Sequence, residues 1–217
     1  MTIINAASFA EEHELNIGDY TTDARLLWCD IETTGLNVET DVVLEVGFII
    51  TDKWGALLAD PMKYFIQEAD QKVWDARKDM PAFVRKMHTD SGLLAEYDTS
   101  PTYGGAYIAQ RVLLTLEQCT ANSGDMKQIL FAGSTVNFDR NFIQRLMPDL
   151  HKSIHHRNRD VSSLKEMCVD FNPDVYARLA DQAPKMGKHR VLEDLVDSIK
   201  EYNFYVDNFL FHTWEGE

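Results

Sequence analysis

Residues 26–35, LLWCDIETTG, form an apolar run that ends in two carboxylates and a Thr-Thr-Gly turn. Side chains along a strand alternate between its two faces, so Asp30 and Glu32 project from the same face. A strand this apolar is expected inside a sheet, where an unpaired ionised carboxylate is costly. The pair therefore indicates a compensating divalent cation such as Mg²⁺ or Mn²⁺, which hard oxygen ligands suit. Two acidic residues exposed in a loop are the alternative for a lone D-x-E pattern.

Length, hydrophobicity and cysteine usage bound the class of protein. The 217 residues suffice for one α/β domain, and no internal repeat or linker indicates a second. No apolar run approaches the ~20 residues of a membrane span, and no secretory signal is evident. Cys29, Cys119 and Cys168 lack metal-finger spacing, which favours reduced thiols. We therefore expect a cytoplasmic protein without membrane association.

The charge of the chain narrows the class of nucleic-acid partner. A net charge of −14 argues against binding long nucleic acid over the whole surface, because such binding uses many Lys and Arg contacts to phosphates. This net charge is still compatible with a short substrate that binds at a locally basic surface. Two clusters are candidates, with solvated surface as the alternative for each residue: Lys152, His155, His156, Arg157 and Arg159, and separately Lys185, Lys188, His189 and Arg190.

Hydrophobic patterning divides the chain into an extension, a domain and a tail. Residues 1–24 show no sustained periodicity, so we expect a partly ordered N-terminal extension. Strands are predicted at 26–31, 42–51, 57–66 and 128–132, and helices at 72–87 (broken at Pro81), 103–121, 138–147, 161–170, 173–181 and 191–206. The predicted fold class is α/β, with a mixed central sheet flanked by helices and the carboxylate strand at or near its centre. The domain spans 25–206, and 207–217 form a C-terminal tail.

A third carboxylate, Asp139, stands where an apolar side chain is expected. The residues three, four and seven positions after it are apolar, so Asp139 lies on the helix stripe that faces the core. A carboxylate there needs an ion pair or a metal, although acidic residues are also favoured in the first turn of a helix. Asp194 lies away from the centre of the apolar stripe of the last helix, and periodicity alone predicts an exposed residue. His189 is unremarkable by itself.

Taken together, these residues form an ordered pattern of D-x-E, D and H-x4-D, namely DIE at 30–32, Asp139, and HRVLED at 189–194. The pattern resembles the DEDD exonucleases of the histidine subtype, which have a ribonuclease H-like fold. Other stretches are similar to the oligoribonuclease family within that group: DIETTGL at 30–36, HTDSGL at 88–93, MPDL at 147–150, DVSSLKE at 160–166 and HRVLEDLVDSI at 189–199. The resemblance covers about residues 25–206.

This resemblance implies a set of site residues. The family's metal-binding carboxylates fall on Asp30, Glu32, Asp139 and Asp194, and its general base falls on His189. Its substrate contacts fall on six positions: Leu36, which would wedge between two bases, Phe83, His88, Thr135, His156 and Arg157. The family usually has tryptophan at Phe83, a polar residue at Phe138, and at His156 a tyrosine presented by the neighbouring subunit. The resemblance therefore also implies a homodimer.

The clustering of four carboxylates implies a mechanism. Two unit charges ~4 Å apart repel by roughly 4 kcal/mol at an effective dielectric of ~20, so bare carboxylates would stay partly protonated. Two divalent cations ~3.5–4 Å apart would relieve the repulsion and stabilise the attacking and leaving oxygens. We expect Asp30 to bridge both cations, with Glu32 and Asp194 at one and Asp139 at the other. His189 would take a proton from the attacking water.

The predicted activity is that of a 3′–5′ exoribonuclease. It would degrade short single-stranded RNA, down to dinucleotides, to nucleoside 5′-monophosphates. A first alternative is a proofreading-like exonuclease on longer single-stranded DNA or RNA, which the acidic net charge disfavours. A second is an inactive fold used as a binding module, which predicts loss of a metal ligand, whereas all five motif residues are present. A third, acidic residues that merely lie on the surface, does not explain Asp139 on an apolar stripe.

Overall fold

The computed structural model describes residues 4–19, 23–120, 125–183 and 187–210. Within them, six strands form one sheet: β1 Leu26–Thr33, β2 Val43–Thr51, β3 Met62–Ile66, β4 Thr102–Tyr103, β5 Leu130–Gly133 and β6 Asn158–Asp160. Their order is β4-β3-β2-β1-β5-β6. β1 pairs antiparallel with β2 and parallel with β5, so the carboxylate strand lies inside a mixed sheet, as predicted. The predicted fold class is confirmed.

Helices cover both faces of this sheet. Their bounds are α1 Ala6–His13, α2 Asp70–Asp79, α3 Ala82–Asp90, α4 Leu93–Thr99, α5 Gly105–Cys119, α6 Asn137–Leu146, α7 Pro148–Ser153, α8 Val161–Phe171, α9 Pro173–Ala177, α10 Leu179–Gln182 and α11 Val191–Tyr205, followed by a π-helical turn, Val206–Leu210. None of these helices has both the length and the apolarity to span a bilayer.

Alternation along β1 assigns each residue to one of two cores. Leu27, Cys29 and Ile31 pack into a cluster that includes apolar residues of α5, α6 and α7. Leu26 and Trp28 pack into the opposite cluster, with residues of α8 and α11. Because β1 is buried on both faces, its residues are apolar without interruption until Asp30. The even-numbered residues share the α11 face, and this directs Asp30 and Glu32 towards α11.

Local signals set several element ends differently from the sequence-based expectation. β1 continues to Thr33, two residues beyond the predicted end. The predicted 138–147 helix ends at Leu146, and Pro148 begins α7, because proline fits the first helical turn. Within the predicted 57–66 strand, only Met62–Ile66 joins the sheet as a strand, and Leu57 makes isolated bridges.

The N-terminal segment contains a helix that periodicity did not indicate. The side chain of Asn5 caps α1 by accepting the backbone N–H of Ser8 at 3.1 Å. Phe9 and Ala10 are buried against the α11 side of the sheet. Residues 1–3, 20–22 and 211–217, which fall within the predicted extension and tail, lie outside the described residues.

Candidate metal centre

Three carboxylates meet at the end of β1. Ligand oxygens of Asp30, Glu32 and Asp194 all lie within 4.8 Å of one another. Asp30 and Glu32 come from the α11 face of the strand, and Asp194 lies in the first turn of α11. Glu32 is buried and the other two are half-buried. A compact set of hard oxygen donors at this spacing fits a divalent cation.

Asp139 approaches the same strand end from the opposite layer. It lies in the first turn of α6 and is 5% exposed, which confirms the prediction that it faces the core. Its Oδ1 accepts the backbone N–H of Ile31 at 3.1 Å, between the two β1 carboxylates in sequence. Among the neighbouring charges that raise the pKa of Asp30, that of Asp139 has the largest effect. All four predicted carboxylates therefore converge on one end of β1.

Crowding and burial favour the protonated forms of these groups. Burial is the first cause in each case, and the pKa rises to about 8 for Glu32, about 7 for Asp139 and about 6 for Asp194. The charge of Asp194 adds to the rise at Glu32. The pKa of Asp30 is raised by burial and then by Asp139, Glu32 and Asp194. The electrostatic conflict is the one the sequence predicts, and bound cations would relieve it.

His189 lies at the exposed edge of this cluster. Its backbone has φ +51°, a left-handed conformation that is uncommon for a residue other than glycine. Its charge lowers the pKa of Asp194 against the larger effect of burial. In the chain, His189 lies two residues before α11, whose first turn carries Asp194. His189 also lines an open groove of about 390 Å³, whose other walls include Phe83 and Met87 of α3. The ring is thus accessible from solvent beside the carboxylates.

The predicted substrate contacts divide into exposed and buried residues. Leu36 and Phe83 are 84% and 77% exposed, and Phe83 shares its groove with His189. His88 is fully buried instead. Its Nε2 lies 2.7 Å from the carbonyl oxygen of Thr33, and its Nδ1 lies 3.7 Å from Oε2 of Glu32. His88 therefore contacts the end of β1 beneath the carboxylates.

The remaining predicted contacts lie near the β5–β6 edge. Thr135 has φ +54°, and its backbone N–H donates to Oδ1 of Asp160 at 3.1 Å. His156 is exposed and stacks on His155, with ring centroids 4.4 Å apart. Arg157 is also exposed, and its backbone N–H donates to Nδ1 of His155 at 2.9 Å. Lys185 of the second basic cluster lies outside the described residues.

Glu45 is a buried charge next to the site that the sequence analysis did not single out. It is the cross-strand partner of Glu32 on β2 and is 0% exposed. Arg190 neutralises it through two hydrogen bonds, from Nη2 to Oε1 at 2.6 Å and from Nε to Oε2 at 3.1 Å. A glutamate within the apolar run VVLEVGF carried the same signal as Asp30, an acidic residue in an interior strand.

Comparison with known protein families adds evidence independent of this geometry. Residues 27–202 match the exonuclease family. The oligoribonuclease of Leifsonia xyli subsp. xyli is 35% identical over 85% of this chain and 84% of its own length. That of Tropheryma whipplei is 33% identical over 88% of this chain and 97% of its own length. The similarity therefore extends over nearly the whole of these relatives.

Solved structures share the fold at much lower identity. An Escherichia coli exonuclease I bound to a 5cy-dT13 oligonucleotide has a TM-score of 0.64 and 13% identity, and covers 87% of this chain. An exonuclease I from Methylocaldum szegediense has a TM-score of 0.63 and 14% identity, and covers 86% of this chain. This chain spans only 42% and 41% of those two longer chains. The likeness shows a common fold.

Proposed function

We propose, since this chain belongs to the exonuclease family and within it to the oligoribonucleases, that it is a metal-dependent 3′–5′ exoribonuclease. It shortens small oligoribonucleotides, down to dinucleotides, and releases nucleoside 5′-monophosphates. The observation that carries the proposal is the convergence of Asp30, Glu32 and Asp194 within 4.8 Å, with Asp139 bonded to the same strand end.

The donor set supports divalent cations, which we propose to be two Mg²⁺ or Mn²⁺ ions. Asp30, Glu32 and Asp194 would hold them together with Asp139, which lies at the same end of β1. Every donor is a carboxylate oxygen, the ligand type these cations prefer. Such ions supply charge stabilisation to the attacking and leaving oxygens of an in-line displacement at phosphorus. The raised pKa values of the four carboxylates support this, because a cation would compensate their crowding.

We assign the proton transfer to His189. It is exposed to solvent just before α11, the helix that carries Asp194, so it would accept a proton from the attacking water at the cluster's open side. The exposed side chains of Leu36 and Phe83 would contact the bases. His88, which is fully buried, would hold the end of β1 in place through Thr33 and Glu32. Thr135, His156 and Arg157 would contact the nucleotide with polar or charged groups.

A length series tests the substrate class. Hydrolysis rates are compared on RNA and DNA of two, five and twenty nucleotides, each with Mg²⁺ and with EDTA, and with Asp30→Ala as the inactive control. We expect a steep preference for the shortest RNA and no hydrolysis in EDTA. Rates indifferent to length would favour an exonuclease on longer single strands. No hydrolysis of any substrate would contradict the assignment as a nuclease.

We further propose a homodimer in which the 151–159 segment reaches the partner's site. Among these residues, His156 and Arg157 are exposed on this chain and lie apart in sequence from the carboxylate motifs. Size-exclusion chromatography with light scattering, together with activity of Arg157→Ala, tests this. A fully active monomer would contradict it.

We also propose a cellular location for this protein and limits for its catalytic domain. Cys29, Cys119 and Cys168 are free thiols, which supports a reducing, cytoplasmic location. We take 25–206 as the catalytic domain, with 1–24 and 207–217 as its extension and tail. The family match over 27–202 supports those limits. Removal of residues 1–24 would test them: activity should be retained, with a lower melting temperature because Phe9 and Ala10 pack against the α11 side of the sheet.

A further inference from the structure

A four-residue ion network includes Arg190, the residue that follows His189 in the chain. Arg190 binds both oxygens of Glu45, and its Nη2 also lies 2.6 Å from Oε2 of Glu96 on α4. Lys63 of β3 completes the network, with Nζ 3.0 Å from Oε1 of Glu96 and 3.5 Å from Oε1 of Glu45. Two cations and two anions are thus joined across β2, β3, α4 and the start of α11.

This network holds the backbone on the C-terminal side of His189. The left-handed conformation of His189 costs on the order of 1 kcal/mol or more and persists only where the surroundings impose it. The following residue, Arg190, is held by a two-pronged carboxylate contact, which fixes orientation as well as distance. The backbone N–H of Val191 also donates to Oε2 of Glu45 at 3.4 Å. The position of His189 is therefore coupled to that of Arg190.

Glu96 links Arg190 to α4, the helix that follows the groove-lining helix α3. Its helix α4 follows α3 after a turn at Ser91 and Gly92, and α3 carries Phe83 and His88. Phe83 and His189 line the same groove. The side chain of Glu96 is 39% exposed, whereas that of Glu45 is fully buried. Glu96 is therefore the member whose removal is least expected to disturb the fold.

We propose that Glu96 is a positioning residue, which acts through Arg190 to hold His189 in place beside the carboxylates. This inference rests on the proposed function, because it assigns a purpose to the placement of the proposed general base. Without Glu96, Arg190 keeps its contact with Glu45 but loses the tie to α4. His189 then samples several orientations, and fewer of them reach the attacking water.

Glu96→Ala tests the proposal, with Asp98→Ala as the matched control. Asp98 lies on the same helix and pairs with Arg77 at 2.5 Å, away from the network. For Glu96→Ala we expect kcat on a dinucleotide to fall roughly ten-fold, below the 10²-fold that a misplacement of ~1 Å brings. We expect KM, melting temperature and Mn²⁺ affinity to stay unchanged. Asp98→Ala should match the parent protein in all four measurements.

Two further measurements separate positioning from a merely structural role. In a His189→Ala background, Glu96→Ala should cause no additional loss of kcat, because the two changes remove one and the same contribution. In the NMR spectrum, the ring Cε1–H signal of His189, identified by its loss in His189→Ala, should broaden or shift in Glu96→Ala and not in Asp98→Ala. Independent, multiplying losses or an unchanged His189 signal would overturn the proposal.

The NMR arm also separates this proposal from the proposed function. A protein that hydrolyses no oligonucleotide but shows the expected change at His189 would refute the function and leave the positioning role standing. A protein that hydrolyses dinucleotides equally well with and without Glu96 would refute the positioning role alone.

Discussion

The carboxylate cluster and the rim that we propose to contact substrate differ in how deeply their side chains are buried. Asp30 and Glu32 lie on an interior strand, and Asp139 is 5% exposed in the first turn of a core helix. Leu36 and Phe83, at the rim, are 84% and 77% exposed. A shift of the β1 carboxylates would require repacking of the two hydrophobic cores into which β1 packs, whereas rim side chains change without such a cost.

This difference fits two of the three departures from the family pattern that the resemblance implies. All four carboxylates are present, and the departures at Phe83 and His156 affect exposed side chains. Phe138, beside Asp139, is partly buried and packs edge-on against Phe142, with ring centroids 5.2 Å apart. We infer that reaction chemistry depends on the core, and that substrate preference is adjusted at the rim.

Removal of Asp30 is the strongest way to break the cluster. Asp30→Ala should lower dinucleotide hydrolysis by on the order of 10⁴-fold, because it removes the carboxylate whose pKa all three others raise. Mn²⁺ binding measured by calorimetry should be lost as well, while circular dichroism shows a folded protein. Asp170→Ala, an exposed acidic residue on α8, is the control and should retain activity.

His189→Ala should separate chemistry from metal binding. We expect kcat to fall by about 10²–10⁴-fold, the usual contribution of a general base, with Mn²⁺ affinity unchanged. The reason is that His189 lies at the exposed edge of the site and is not one of the clustered candidate metal ligands. Single-turnover kinetics and calorimetry check the two expectations. Equal and mild losses in His189→Ala and Asp30→Ala would contradict both role assignments.

The metal-free protein should lose stability as pH rises. Burial raises the pKa of Asp194, Asp139 and Glu32 to about 6, 7 and 8, from the ordinary pKa of 3.8 for Asp and 4.5 for Glu. As pH rises, the folded protein therefore retains protons that the unfolded chain has already released. This contribution to the free energy of unfolding is present below about pH 4 and lost as pH rises to about 8. Urea unfolding in EDTA measures the slope.

Asp139→Asn provides the comparison for that slope, since other acidic residues also titrate in this range. The variant should lose less stability between pH 5 and pH 8 than the parent protein, by on the order of a few kcal/mol. Saturating Mn²⁺ should reduce the difference, because cations take the place of protons. If the free energy of unfolding in EDTA changed with pH equally in both proteins, the carboxylate of Asp139 would not be a cause of the lost stability.

Substitutions at Phe83 should have the smallest effect and should test the rim. Phe83→Ala is expected to raise KM about ten-fold with kcat and melting temperature little changed, because stacking on a base is worth about 1–3 kcal/mol and the ring is exposed. Phe83→Trp should keep or lower KM. Steady-state kinetics on dinucleotides check this, and a loss confined to kcat would place Phe83 with the chemistry instead.

Sequence patterns predicted the parts of the site that strands and helices present directly. Alternation in LLWCDIET placed Asp30 and Glu32 on one face, and helical spacing placed Asp139 towards the core; both expectations are confirmed. Periodicity predicted Asp194 as exposed, but it is half-buried in the first turn of α11 beside the β1 carboxylates. No local pattern indicated that meeting, because it depends on how α11 packs on the sheet.

The amino-acid sequence by itself determined the mixed α/β fold, the interior position of β1 and the acidic character of its end, because side-chain periodicity is a local property. Only the tertiary structure decided that His88 lies buried beneath Glu32 and that Glu45 and Glu96 share Arg190. Those contacts join residues up to 145 positions apart, so their partners are chosen by packing and by the need to neutralise buried charge.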